Sequence, residues 1–365
     1  MRRRTLLGTV SLGAAALVGC TAAEGPVDGP GPTGKPGSGN PTPGGPGSED
    51  GQMVPFNPEN VISSRQVALS GDGSEIAALH GASVIVWSAV TGEIVRDSGS
   101  TDPGPSLGAL AWHPTSPTLA RNVDANSIAL LSSADFTEMR RVQAHADVQI
   151  DDGTARVRHL AFSPDGALLA SSGDDHRVLV WDATTLERVA EFKPAAPSPP
   201  WLAFSPDGTR LLTSDLNSSP EVRDAKSGKL IAALDQVKQA VDPRWSPDGA
   251  LLAFSDWAGQ LHVYDAASLA PSAVVKPSAR PMYCEWLADS SGLAMTLETG
   301  SASVGLWRLG DDDVTTYTED GYRPEALYRA ADPALFYTVT GAAGIFEWGA
   351  VDGKVTRRFE LPAWA

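Results

Sequence analysis

From about residue 60 onward, short runs of alternating apolar and polar residues are separated by turn-forming residues. The segment 157–192 shows one complete unit: the run VRHLAF, a Pro-Asp-Gly turn, the run ALLASSG, a polar turn, the run RVLVWD, another turn and the run ERVAEF. Alternation with a period of two, bounded by turns, is typical of β-strands joined as hairpins. The pattern predicts units of four antiparallel strands and no helices.

The first turn of this unit recurs along the chain. AFSPDG occupies 161–166 and 203–208, RWSPDG occupies 244–249, and ALSGDG occupies 68–73. Proline fixes φ at one corner of such a turn, and glycine accepts a positive φ at the other. The residue before each turn serves as an anchor, and the seven anchors are Leu69, Trp112, Phe162, Phe204, Trp245, Trp286 and Tyr328.

The anchors repeat every 42 residues or so, and the units fill 60–362. Periods of about 40–45 residues are typical of four-stranded propeller blades. The predicted fold is therefore all-β, a seven-bladed β-propeller of four-stranded antiparallel blades. The strand GKVTRRFEL, at 353–361, supplies the fourth strand of blade seven, so the ring does not need to borrow its first strand to close. Residues 52–62 are a second source of a closing strand, and the sequence leaves the mode of closure open.

The segment SSGDDHRVLVWD, at 171–182, resembles the WD-repeat family. The resemblance implies a hydrogen-bonded network inside the blade that includes Ser171, Asp175 and Trp181. The Gly-His pair that begins a typical repeat is missing almost everywhere. AHADV at 144–148 is its nearest equivalent, and an insertion before Val157 is expected to place His145 out of register. The alternative resemblance is to the six- to eight-bladed propeller of the Tol transport system, in which WSPDG is also common.

The N-terminus has the pattern of an export signal. Arginines at 2–4 precede the apolar stretch Thr5–Val18, as in a secretory signal peptide. The pair Arg3 and Arg4, followed by TLL, resembles a twin-arginine signal, so export uses the Sec or the Tat route. The exit, formed by Leu17, Val18, Gly19 and Cys20, resembles the lipobox of bacterial lipoproteins, which implies a diacylglyceryl group on Cys20, acylation such as palmitate, and cleavage before that residue.

These patterns predict three regions: a signal peptide at 1–19, a lipidated cysteine with a linker at 20–55, and a propeller at 56–365. Gly and Pro fill 16 of the 30 positions from 21 to 50, a composition that predicts a disordered tether. The expected location is the extracytoplasmic side of the cell membrane, with the protein held there by its lipid.

Charge and cysteine content exclude some classes of protein. The formal net charge of −16 argues against binding nucleic acid through a basic patch. The chain has two cysteines, Cys20 and Cys284, so no disulfide framework is expected. Cys284 lies on an inner-strand pattern and is expected to be a buried, inert thiol.

The search for chemistry finds no nucleophile elbow, phosphate loop or metal spacing. The six histidines fall in different blades or strands, and the acidic run at 311–313 lacks the alternating ligands of a calcium loop. We therefore expect no cofactor, no metal and no catalysis. The favoured function is a protein-interaction scaffold or sensor, expected to be a monomer with a protein or envelope partner.

Function in a propeller is decided at its faces. Three residues before the anchors, the innermost strands carry a chemically mixed ring: Gln66, Ala109, His159, Trp201, Asp242, Tyr283 and Glu325. Trp257, at a turn on the same face, is expected beside Trp201 and Tyr283. The candidate partner-binding residues are therefore His159, Trp201, Asp242, Trp257, Tyr283 and Glu325.

Two further expectations concern the channel. Arg244 and Glu285 occupy the same level of neighbouring blades and are predicted to pair across the blade interface. The alternative functions are a small-ligand-binding or hydrolytic propeller with its site at the channel mouth, and a Tol-type propeller in envelope assembly.

Overall fold

The computed structural model describes residues 67–99, 108–145, 149–150, 153–195, 200–215, 217–298, 302–319, 324–340 and 344–359. The predictions for the signal peptide, Arg3, Arg4, Leu17, Val18, Gly19, Cys20, the linker and Gln66 lie outside these residues. Every regular element in the described ranges is a strand. Accordingly, these ranges contain no helix long and apolar enough to cross a membrane.

The strands form seven four-stranded sheets in chain order, each a simple antiparallel meander. Blade one contains β1 (Val67–Leu69), β2 (Glu75–His80), β3 (Ser83–Ser88) and β4 (Ile94–Asp97), and blade two contains β5 (Leu110–Trp112), β6 (Thr118–Asn122), β7 (Ser127–Ser132) and β8 (Glu138–Gln143). A small hairpin follows, made of β9 (Gln149–Ile150) and β10 (Gly153–Thr154).

Blades three to five have the same plan. Blade three contains β11 (Val157–Phe162), β12 (Leu168–Gly173), β13 (Val178–Asp182) and β14 (Arg188–Phe192). Blade four contains β15 (Trp201–Phe204), β16 (Arg210–Ser214), β17 (Glu221–Asp224) and β18 (Leu230–Ala233). Blade five contains β19 (Ala240–Trp245), β20 (Leu251–Asp256), β21 (Leu261–Asp265) and β22 (Pro271–Val275).

Two more blades complete the ring. Blade six contains β23 (Arg280–Trp286), β24 (Gly292–Glu298), β25 (Ala302–Arg308) and β26 (Thr315–Thr318). Blade seven contains β27 (Ala326–Arg329), β28 (Leu335–Thr340), β29 (Gly344–Gly349) and β30 (Val355–Phe359). The seven-bladed prediction is confirmed.

The repeated Ser-Pro-Asp-Gly turn is held by a small hydrogen-bond network. In blade three the hydroxyl of Ser163 donates to Asp165 (2.6 Å), and it accepts from the backbone N–H of Leu168 (2.9 Å). The carboxylate of Asp165 also accepts from the N–H of Ala167 (3.0 Å), while Gly166 has a φ of 73°. Because both side chains satisfy turn amides, the same four residues can serve successive blades. Equivalent contacts are made by Ser70 with Asp72, Ser205 with Asp207 and Ser246 with Asp248.

The hydrophobic core lies between blades, and the ring closes by such packing. Trp87 of blade one is fully buried in a cluster with Tyr337, Val339 and Phe359 of blade seven. In addition, Arg357 donates to the carbonyl of Ala89. Among the described residues β30 is the outer strand of blade seven, and side chains of the first and last blades are in contact. Residues 52–62, the other candidate for a closing strand, lie outside the described residues.

The register of blade seven corrects one sequence alignment. In blade three Phe162 faces Leu169, which faces Trp181. In blade seven the corresponding residues are Arg329, Phe336 and Trp348. The anchor is therefore Arg329, one residue beyond the predicted Tyr328. The prediction selected the aromatic residue, but the aromatic side chain of Tyr328 lines the channel. This shift replaces Glu325 by Ala326 in the ring.

Candidate functional site

The inner strands of the seven blades surround a channel cavity of about 610 Å³. Four of the six predicted partner-binding residues line it: His159, Trp201, Asp242 and Tyr283. They come from four consecutive blades, three to six. Glu325 is exposed and lies outside this lining, consistent with the corrected register.

Irregular strands position these side chains. The inner strands of blades three, five and six carry register shifts, at Val157/His159, Val241/Arg244 and Pro281/Cys284. Such bulges bend a strand and re-aim its side chains. The backbone is most constrained at Asp242, which has a φ of 50°. A left-handed conformation in a non-glycine residue costs about 1–3 kcal/mol and is often found at functional sites.

Arg244 joins the acidic groups of the channel wall. Its Nη1 lies 2.9 Å from Oδ1 of Asp242, and its Nε lies 3.0 Å from Oε2 of Glu285. The predicted contact between Arg244 and Glu285 across the blade interface is confirmed. Burial alone would lower the pKa of Arg244, but the two carboxylates outweigh that effect and raise it above its ordinary value. The guanidinium therefore stays charged.

Two other ionisable groups border this cluster. Burial raises the pKa of Tyr328 above its usual range, although the charge of Arg244 opposes the shift. Cys284 is fully buried, and burial likewise raises the pKa of its thiol. The thiol therefore lacks the thiolate character that cysteine chemistry requires. Both groups are neutral parts of the wall at neutral pH.

The aromatic side of the channel spans two blades. The ring centroids of His159 and Trp201 lie 5.9 Å apart, with their planes tilted by 54°. Trp201 remains partly exposed, as does Tyr283 on blade six. The cavity thus has aromatic surface beside the charged cluster.

Trp257 lies apart from this lining. It follows β20, whose last residue Asp256 pairs with Ala240 at the start of β19, so it lies at the end of the sheet where the inner strand begins. The side chain is 45% exposed, and the guanidinium carbon of Arg280 is 4.1 Å from its ring centroid. Arg280 also pairs with Glu298. We call Trp257, Arg280 and Glu298 the rim patch.

The hydrogen-bond network expected in blade three is present, and it includes a residue that the sequence analysis excluded. His145 is fully buried; its Nδ1 donates to Asp175 (2.8 Å), and its Nε2 accepts from the Ser171 hydroxyl (3.0 Å). Trp181 Nε1 donates to the same hydroxyl (3.0 Å). Burial alone would raise the pKa of Asp175, but His145 and Arg177 outweigh it and lower the pKa to about 2.

The expectation that His145 is out of register was therefore wrong. The hairpin β9–β10 lies between His145 and Val157 in the sequence, and His145 still reaches Asp175 and Ser171 of blade three. The Ala144-His145 dipeptide was the available signal. Blade seven retains part of the same network, since Trp348 Nε1 donates to the hydroxyl of Thr338 at 2.8 Å.

Within the described ranges, no group of three or more histidine, cysteine, aspartate or glutamate side chains is placed to hold a metal ion. The cavity lining combines the Arg244 cluster with a further cation, Arg329, and with the aromatic side chains of Trp201 and Tyr283.

The fold and the blade-three network define the class: the chain is a seven-bladed β-propeller containing a WD40 repeat. The family described as "WD domain, G-beta repeat" matches residues 140–182. That match includes His145 and all three residues of the predicted network.

Curated relatives share part of this sequence. The chain is 27% identical over 245 residues to actin-interacting protein 1 of Drosophila melanogaster, a match covering 64% of this chain and 38% of the relative. It is 24% identical over 270 residues to WD repeat-containing protein 1 of Xenopus tropicalis, covering 71% of this chain and 41% of the relative. The matched region is thus less than half the length of either relative.

Solved structures share the fold. A chain in the crystal structure of a mitotic checkpoint complex aligns with a TM-score of 0.64 at 16% identity, covering 77% of this chain and 86% of that one. The Cps50 (Swd1) β-propeller domain of Myceliophteria thermophila aligns with a TM-score of 0.62 at 14% identity, covering 76% and 93%. At these identities the similarity concerns the fold alone.

Proposed function

We propose that this protein is a membrane-anchored extracytoplasmic lipoprotein whose propeller binds a protein partner and catalyses no reaction. WD-repeat propellers typically serve as protein-interaction scaffolds, and one relative is named for its interaction with actin. We do not transfer the actin interaction to the present chain, because the location proposed for this protein is outside the cytoplasm.

The observation that carries the proposal is the rim patch. Trp257 is 45% exposed, and Arg280 stacks on it while pairing with Glu298. Tryptophan and arginine are enriched among residues that contribute most to protein interfaces. The stack also fixes both side chains before binding, which reduces the entropy lost on association. We therefore assign the partner contact to the rim patch, with Glu325 as a second exposed candidate.

The N-terminal sequence supports the membrane anchor. Leu17, Val18, Gly19 and Cys20 match a lipobox, and the segment 21–55 has the composition of a flexible tether. A flexible chain of about 35 residues spans on the order of 30–35 Å. A diacylated cysteine holds a protein on a membrane far better than one acyl chain does. The tether would let the propeller reach partners close to the membrane surface.

Affinity capture from gently cross-linked membranes tests the partner contact. We expect the intact protein to retain a specific partner and the Trp257→Ala variant to lose it. The matched control is Val274→Ala, in the outer strand of the same blade, where the side chain is 54% exposed. If Trp257→Ala captures the same partner in the same yield as the control, the rim patch is not the interface.

A further inference from the structure

The channel wall contains an arginine, Arg244, whose guanidinium is held in place by its neighbours but is not fully hydrogen-bonded by them. The guanidinium of Arg244 contacts Asp242 through Nη1 and Glu285 through Nε. Within the described residues its Nε is buried without a hydrogen-bond partner, although it lies 3.0 Å from Oε2 of Glu285, and 26% of the side chain is exposed in the cavity lining. Arginine guanidinium carries donors in a rigid planar arrangement. A ligand in the cavity would meet a donor that is already oriented by two carboxylates.

The charges around Arg244 disfavour an ionic ligand. At this cluster an anion would add to two carboxylates that face one guanidinium in a partly desolvated wall, and the second cation of the cavity lining, Arg329, is exposed to solvent. A cation would meet Arg244 first, because the side chains of Asp242 and Glu285 are only 7% and 12% exposed. A neutral group that both donates and accepts hydrogen bonds, such as a hydroxyl, matches a donor flanked by acceptors.

The rest of the lining favours a ligand that also has an apolar face. Trp201 of blade four and Tyr283 of blade six line the cavity, and blade five with Asp242 lies between them in the ring. Aromatic rings provide large, rigid apolar surfaces. The cavity volume of about 610 Å³ lies within the range of roughly 300–1,000 Å³ found for small-molecule sites. A broad protein surface cannot enter such a cavity, whereas one or two sugar rings can.

From these observations we infer that the channel is a binding site for a neutral saccharide unit. Arg244, Asp242 and Glu285 hydrogen-bond its hydroxyl groups, and Trp201 and Tyr283 pack on its C–H faces. The site is distinct from the rim patch, so this inference does not depend on the proposed protein partner.

Saccharide titrations of the full chain test the inference. The probes are the neutral sugars glucose, galactose, mannose, N-acetylglucosamine and trehalose, with glucosamine as the cationic analogue and glucuronate as the anionic analogue of glucose. Saturation-transfer NMR detects binding, and calorimetry measures affinity. We expect saturable binding of at least one neutral sugar and weaker binding of both charged analogues.

Variants locate the site. Trp201→Ala is expected to weaken binding of the bound neutral sugar at least about tenfold, and Trp257→Ala is expected to leave it unchanged. If Trp201→Ala does not fold, as judged by its thermal transition, Tyr283→Ala replaces it with the same expected loss. The inference is overturned if no neutral probe binds at millimolar concentration, if a charged analogue binds more tightly, or if loss of the channel aromatic has no effect.

Discussion

The Nε atom of Arg244 lies 3.0 Å from Oε2 of Glu285 and joins the inner strands of blades five and six inside the channel. The same guanidinium contacts Asp242 through Nη1, 2.9 Å away. One cation therefore compensates two carboxylates that are largely removed from water. The contact stabilises the blade interface and also fixes the polar surface that a channel ligand would meet.

Removing this cation should destabilise the fold strongly. Arg244→Met removes the cation that compensates Asp242 and Glu285 in the channel wall, and breaking a buried pair in this way costs about 3–5 kcal/mol. Urea unfolding followed by tryptophan fluorescence measures the change in the free energy of unfolding.

The control for that experiment is an exposed ion pair. Arg141 and Glu138 lie 2.6 Å apart on the surface of blade two, and such pairs contribute about 0–1 kcal/mol. Arg141→Met should therefore have a much smaller effect. Equal losses in the two variants would mean that the channel pair is effectively solvated.

The network of blade three should depend on His145. Its removal leaves the buried carboxylate of Asp175 and the hydroxyl of Ser171 without one partner each, and a buried unsatisfied group costs about 1–3 kcal/mol. We expect His145→Ala to lower the free energy of unfolding by about 2–4 kcal/mol. Thr338→Val, which removes one hydrogen bond from Trp348, should cost about 1 kcal/mol. Equal effects of the two variants would contradict the larger role of His145.

Stability should fall at acidic pH. Hydrogen bonds from Ser70 and Ser74 lower the pKa of Asp72 from 3.8 to about 2, and that of Asp175 is also about 2. A carboxylate whose pKa is depressed in the folded state stabilises the fold above its unfolded pKa, and this contribution is lost as the pH falls through the folded value. The thermal midpoint should therefore decrease as the pH falls from about 4 to about 2.

A single variant isolates the contribution of the first turn to that pH dependence. Asp72→Asn should make the decrease in the thermal midpoint shallower over this range, because one of the protonating groups is gone. Asp313→Asn, at an exposed position in the acidic run, serves as the control. A slope identical to that of the wild type in Asp72→Asn would show that this carboxylate does not contribute.

The lipid anchor predicts a cysteine-specific label. In cells supplied with an alkyne fatty acid, the wild-type protein and Cys284→Ser should be labelled and recovered with membranes. Cys20→Ser should be unlabelled and released from the membrane fraction. A wild-type protein that carries no label, or a label that persists in Cys20→Ser, would contradict lipidation at this site.

The sequence was most informative where a local rule repeats. The Ser-Pro-Asp-Gly turns specify their own hydrogen bonds, so they predicted both the blade period and the level at which Arg244 and Glu285 meet. Blade seven was misaligned by one residue because an aromatic residue beside the true anchor, Arg329, appeared to fit the pattern better. The pairing of β27 with β28 was needed to correct it.

Other features of the site depend on tertiary geometry. The positive φ of Asp242 arises at a bulge that no residue pattern marked. The separation of Trp257 from the channel lining follows from how the turn after β20 lies against Arg280. His145 was missed because the inserted hairpin was counted as part of its blade. These relationships are set by packing between segments distant in sequence.

The central claim is that the rim patch and the channel are separate binding surfaces. The most direct test measures both partner capture and saccharide affinity in Trp257→Ala and in Trp201→Ala. We predict that Trp257→Ala loses capture and keeps saccharide binding, and that Trp201→Ala does the reverse. Loss of both activities in either folded variant would contradict the separation, and so would retention of both activities in the two variants.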